Sequence, residues 1–140
     1  MHLRSRLSLK MLMNAHSTAV MTILGRVVGN TMTNVRAANL KLIGRATYLA
    51  KTHIDDIIRR AKIQGCSSIE YSEANALLFD TMEWLDQNDR SQESPVPLII
   101  VRAIQSLQIG KDTGLEGAEE VLKANGTLES YIYSTIAAAN

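Results

Sequence analysis

The chain of 140 residues has little of several residue types that mark common classes of protein. Its one cysteine, Cys66, excludes an internal disulfide framework. Aromatic residues make up only 4% of the chain, which also has just two prolines. The apolar residues are mainly Ala, Leu, Ile, Met and Val, a composition that favours helices over strands. No apolar run approaches the roughly 20 residues that cross a bilayer. We therefore expect an all-α protein without a membrane partner.

Acidic residues are missing from the first part of the chain. Residues 1–54 contain eight Lys or Arg and no acid, and the first carboxylate is that of Asp55. Residues 55–140 hold all 14 acids and seven Lys or Arg. The two parts carry net charges of +8 and −7, which together make the +1 of the whole chain. This segregation predicts that the front part attracts polyanions, whereas the back part repels them or attracts a basic partner.

Motifs that assemble catalytic or metal-binding groups are also missing. The three histidines, His2, His16 and His53, do not have the spacing of metal ligands. The sequence contains no phosphate-binding glycine loop, no nucleophile elbow and no paired-carboxylate motif. We therefore expect a protein that is not an enzyme and that has no metal, no cofactor and no small-molecule substrate.

Periodicity divides the chain into four parts. Residues 1–17 form a basic N-terminal arm or helix, although an acid-free, Ser-containing stretch of this kind is also typical of a mitochondrial targeting segment. Residues 18–88 predict a short helix to about Gly29, a long helix over 35–64 and a third helix from about Ser72. Residues 89–97 are a polar linker with both prolines, and residues 98–140 are a helical extension broken near Gly110 and Gly126.

Three local patterns carry a resemblance to a known family. Leu24-Gly25-Arg26-Val27-Val28 is similar to the first helix of archaeal histones. Arg59-Arg60-Ala61-Lys62-Ile63-Gln64-Gly65 stands where the family's central helix ends, and Ser67-Ser68-Ile69, followed by Glu73, stands where histones have Lys-Thr-Ile and an acid. Residues 20–85 therefore resemble the histone fold, with a short helix, a long central helix and a short helix. The resemblance implies a dimer with itself or with a related chain, and the extension could begin a second such unit.

The resemblance and the charge pattern together predict a function. We expect a histone-like DNA-packaging protein that binds the DNA backbone without reading its sequence. The expected DNA-binding residues are Arg4, Arg6, Lys10, Arg26, Arg36, Ser67 and Ser68. The expected dimer interface is the apolar stripe of the long helix, formed by Leu42, Ala46, Leu49, Ile54, Ile57 and Ala61.

A second class of function stays open at this point. The low net charge and the acidic second part favour a helical interaction subunit, such as a histone-fold heterodimer or a viral structural component, that does not itself bind DNA. Either function would place the protein inside the cell, in a nucleus, nucleoid or virion, or in a mitochondrion.

Overall fold

The computed structural model describes residues 3–139, so that Met1 and His2 of the predicted arm and Asn140 of the predicted extension lie outside the described residues. The helices in this range are α1 Leu3–Ile23, α2 Leu40–Arg60, α3 Tyr71–Gln87, α4 Val96–Ile109, α5 Gly114–Asn125 and α6 Leu128–Ala138. Two short strands, β1 Val27–Val28 and β2 Thr31–Met32, pair as an antiparallel hairpin. The predicted all-α class is confirmed, as are the helix breaks at Gly110 and Gly126, which cap α4 and α5.

The core lies where α2 packs against α3 and α4. Helix α4 is the most apolar element, and its buried residues are Val96, Leu98, Ile99, Ile100, Val101, Ala103 and Ile104. Six of them belong to the same core cluster as the apolar side of α2, whereas Leu98 packs with Leu85 of α3 and Leu115 of α5. The start of α4 is compatible with proline in the first turn, because the N–H groups there lack helical acceptors anyway. The predicted extension is therefore part of the main core.

This packing corrects the predicted dimer interface. The stripe of Ala46, Leu49, Ile54, Ile57 and Ala61 is buried in the core of the single chain, while Leu42 is partly buried at its edge. The sequence alone suggested that a partner must cover these side chains, because the region after the prolines was read as a separate extension. In the structure α3 and α4 of the same chain cover them, so the stripe needs no partner.

The helices also differ in length and position from the order that the resemblance predicted. The first helix is not short: α1 runs for 21 residues, from Leu3 to Ile23, across the predicted boundary at residue 17. The central helix is shorter than predicted, since α2 begins at Leu40, where Asn39 caps it by accepting a hydrogen bond from the Leu42 N–H at 3.0 Å, and ends at Arg60. The structure therefore supports the helical class but gives no support for the short–long–short arrangement.

A tight hairpin replaces the predicted end of the first helix. Val28 pairs with Thr31, so that Gly29 and Asn30 form a two-residue turn, in which Gly29 adopts a φ of +59°. Gly25 before it has a φ of +67°, and a Cβ atom there would lie 2.5 Å from Cγ2 of Thr127. Only glycine fits this approach, which seats the hairpin against the start of α6.

The polar segment between α3 and α4 is held to the chain before α2. The Ser94 hydroxyl accepts a hydrogen bond from the N–H of Val35 at 3.0 Å and lies 3.0 Å from the carbonyl oxygens of Thr33 and Val35. Arg90 in the same segment pairs with Glu93 and with Glu119 of α5, both at 2.7 Å. The predicted linker is thus fixed on both sides and does not separate two bodies.

Candidate functional site

An open cleft of about 1170 Å³, which we call the α2–α6 cleft, lies beside the second half of α2. Its walls come from the hairpin turn, the second half of α2, the loop between α2 and α3, the first residue of α3 and the outer side of α6. These elements are distant in sequence, and the α2–α3 loop is positioned by Asp55. Oδ1 of Asp55 accepts a hydrogen bond from the N–H of Ile69 at 3.0 Å, and its Oδ2 accepts one from Nζ of Lys51 at 2.6 Å.

Aromatic side chains are concentrated at this cleft. The chain has six aromatic residues, and three of them, Tyr48, Tyr71 and Tyr133, line the cleft. Their exposed fractions are 62%, 48% and 60%, so their rings are open to solvent although they stand on three different helices. Exposed aromatic rings that converge on one concave surface are characteristic of ligand sites, because a ring offers an apolar face and a hydroxyl at once.

The cleft also carries cations at one end. Arg59 and Arg60 both pair with Asp56, and although burial would raise the pKa of Asp56, these hydrogen bonds hold it below its usual value. Lys62 follows α2 with a φ of +50°, an uncommon conformation for a residue with a side chain. Among residues 3–139, Lys62 forms no ion pair, so its charge is available to an anion in the cleft.

His53 brings a titratable group to the same wall. Burial lowers its pKa below the ordinary value of 6.5, and the nearby charge of Asp56 only partly opposes this effect. The imidazole is therefore neutral near pH 7 and can accept a proton. The sequence analysis considered His53 as a metal ligand and rejected it on spacing, and no local pattern connects it to the tyrosines that share its cleft.

The residues predicted to bind DNA lie on several different elements of the structure. Three of them, Arg4, Arg6 and Lys10, lie on α1, and Arg26 lies in the turn before the hairpin. Arg36 lines a second groove beside α3, whereas Ser67 lines the α2–α6 cleft, with Ser68 next to it in the same exposed loop. Arg36 and Ser67 thus line different grooves.

Within residues 3–139, no three His, Cys, Asp or Glu side chains cluster in a way that could hold a metal ion. In the same range, no helix combines the length and the apolar character needed to cross a lipid bilayer. The α2–α6 cleft is accordingly the strongest candidate site of this all-α fold.

Part of the chain is similar in sequence to curated enzymes. The chain is 42% identical over 53 residues to N-acetylmuramic acid 6-phosphate etherase of Porphyromonas gingivalis strain W83, which covers 38% of this chain and 19% of the etherase. It is 42% identical over 55 residues to the etherase of Bacteroides thetaiotaomicron, covering 38% of this chain and 20% of that protein. The matched part thus spans about a fifth of these relatives. No family model matches, and no solved structure matches.

These matches contradict the expectation that the protein is not an enzyme. The curated relatives carry the name of an etherase, and the similarity is with them rather than with any DNA-packaging protein. The sequence reasoning was wrong because it inferred the absence of an enzyme from the absence of local motifs, and catalytic groups need not stand close together in sequence.

Proposed function

We propose that the protein takes part in the cleavage of N-acetylmuramic acid 6-phosphate and holds this amino-sugar phosphate in the α2–α6 cleft. The observation that carries the proposal is the 42% identity over 53 residues to proteins named for that reaction. The match covers about a fifth of those proteins. It supports a similar type of reaction, and experiment must identify the complete set of catalytic residues.

The contents of the cleft suit such a ligand. Its volume of about 1170 Å³ is ample, since small-molecule sites range over about 300–1,000 Å³. The rings of Tyr48, Tyr71 and Tyr133 offer apolar faces for a sugar ring and hydroxyls for its polar edge. Lys62 and Arg59 provide positive charge for a phosphate or carboxylate. The neutral imidazole of His53 is a candidate proton acceptor, the kind of group that an elimination or hydrolysis requires.

The test combines binding with turnover. Titration of the purified chain with N-acetylmuramic acid 6-phosphate should give saturable heat, whereas N-acetylmuramic acid without the phosphate should bind at least about tenfold more weakly if a charge-assisted contact is lost. Cleavage of the lactyl ether with water releases lactate, so an assay for lactate reports the reaction. Failure to bind the phosphorylated sugar would overturn the proposal, and binding without lactate release would remove its catalytic part.

Variants locate the ligand. Tyr133→Ala and Lys62→Gln should each weaken binding of the phosphorylated sugar, because both side chains line the cleft and are free of intramolecular ion pairs in the described residues. Lys111→Gln is the matched control, since Lys111 is an exposed lysine outside the cleft. Equal affinities for all three variants would place the ligand elsewhere.

Sequence-independent DNA binding is the second candidate, and the charge pattern favours it. Residues 1–54 hold eight cations and no acid, and the cationic side chains on α1 are exposed. Binding to a random-sequence duplex should then weaken steeply as salt rises, because each neutralised phosphate releases counterions. Arg26→Ala should lower both the affinity and the salt slope, whereas Lys111→Ala should change neither. Absent or salt-independent binding would exclude this candidate.

A further inference from the structure

Helix α1 is uncovered in the single chain. None of its described residues is buried, although a helix of 21 residues is about 31 Å long and this one carries many large apolar side chains. One face of α1 carries a regular pattern of residues. Leu9, Met13 and Val20 recur there at helical spacing, and Arg6 and Lys10 lie beside them towards the N-terminal end of the helix. Most of the stability of a helix in a protein comes from the packing of an apolar face, so we expect α1 to be covered by a partner.

A groove beside α3 has the complementary pattern. Phe79 and Met82 are apolar residues in its lining, and Glu83 and Asp86 follow them on the same side of α3, each four positions after one of these apolar residues. The groove has a volume of about 530 Å³, and Phe79 is exposed although it is the only phenylalanine of the chain. No α1 residue lines this groove within residues 3–139, so the chain's own first helix leaves it open.

The end of this groove is acidic and therefore attracts cations. Asp86 lies in the last turn of α3, where the helix dipole is already negative and where no basic residue of α3 is present. Of the described groove residues three are acidic, Glu83, Asp86 and Glu93, and one, Arg36, is basic. Glu93 is already paired with Arg90. Glu83 accepts a hydrogen bond from the Gln87 amide, but neither Glu83 nor Asp86 forms an ion pair within the described residues, so both charges are available to a partner.

We propose that α1 of one copy of this chain docks antiparallel on α3 in the groove of a second copy. The antiparallel direction follows from the order of the residues. On α1 the cations Arg6 and Lys10 precede the apolar Met13, whereas on α3 the apolar Phe79 precedes the acidic Asp86. Only opposite directions place charge on charge and apolar residue on apolar residue together.

A two-fold exchange accounts for the area as well. If each copy inserts its α1 into the groove of the other, the same contact occurs twice around the symmetry axis. A stable interface buries about 800 Å² per partner. A single helix contact buries less than this area, whereas two such contacts, together with the remaining apolar residues of α1, can reach it. The proposal is independent of the cleft and of the ligand proposed for it.

Charge reversal tests the contact. Analytical ultracentrifugation of the full chain should show a dimer whose dissociation constant rises roughly tenfold or more in Arg6→Glu/Lys10→Glu, and equally in Glu83→Lys/Asp86→Lys. Combining all four substitutions should restore the dimer, which a merely structural role of these residues would not produce. Arg4→Glu is the control, because Arg4 lies on another side of α1 and should leave the dimer intact.

Cross-linking tests the geometry without altering the charge pattern so strongly. In a Cys66→Ser background, a mixture of one variant carrying Lys10→Cys and another carrying Glu83→Cys should form a disulfide-linked pair under mild oxidation. Circular dichroism confirms that each variant is folded. A chain that stays monomeric at every concentration, a dimer insensitive to both charge reversals, or a mixture without cross-links would overturn the proposal. So would a loss of DNA binding by Arg6→Glu/Lys10→Glu in a dimer that stays intact, because the face would then belong to nucleic acid.

Discussion

Because the α2 stripe is buried within one chain, we expect that truncating one of its side chains strongly lowers the free energy of unfolding. Ile54 lies in the middle of α2 and has an exposed fraction of 0%. Replacing it with alanine removes three carbon groups, each worth about 0.8 kcal/mol when buried, or about 2.4 kcal/mol together. A cavity that stays open adds about 1 kcal/mol for every ~40 Å³. We therefore expect Ile54→Ala to lower the free energy of unfolding by about 3 kcal/mol.

Urea unfolding followed by circular dichroism measures this loss. Leu40→Ala is the matched control, because Leu40 begins the same helix but is 87% exposed, and it should change the free energy of unfolding by less than about 0.5 kcal/mol. If Ile54→Ala cost no more than Leu40→Ala, the stripe would not be enclosed by α3 and α4. The reasoning that moved it from a dimer interface into the core would then be refuted.

Three further predictions follow from individual contacts. Gly25→Ala should destabilise the fold by about 1–3 kcal/mol in urea unfolding, because its new Cβ would meet Thr127 at 2.5 Å and its φ is positive; an unchanged midpoint would contradict this. Burial lowers the pKa of His53, so stability present above pH 6.5 should be lost as the pH falls below that value, and His53→Gln should flatten this part of the stability profile. Hydrogen bonds from Arg102 hold the pKa of Asp112 well below 3.8, so stability should fall below that pH. Since Asp112 is 56% exposed, the loss should be about 1 kcal/mol or less, and it should be absent in Asp112→Asn.

The starts and ends of several helices were readable from local residues, with shifts of a few positions. Gly110 and Gly126 end α4 and α5, as predicted, because glycine adopts a positive φ without a steric penalty. The capping box before α3 is formed by Glu70 and Glu73, where the Glu70 N–H donates to Glu73 Oε2 at 2.8 Å. Acidic side chains at the start of a helix serve this purpose as hydroxyls do.

The hairpin was missed although a signal for it was present. Gly29 and Asn30 stand between two short β-branched stretches, and a Gly-Asn pair in that position predicts a two-residue hairpin turn. Helical spacing of Val27 and Val28 with the residues before them favoured a helix instead. Two-residue strands carry too few side chains for period-two alternation to compete with that spacing.

The sequence by itself determined the helical class, the segregation of charge and the ends of α4 and α5, because composition, net charge and caps act over a few neighbouring residues. Only the tertiary structure decided what covers the α2 stripe and what gathers at the cleft. Burial depends on which elements meet, and the partner of α2 proved to be α4, some forty residues further along. For the same reason, Tyr48, Tyr71 and Tyr133 became one surface only when three helices brought them together.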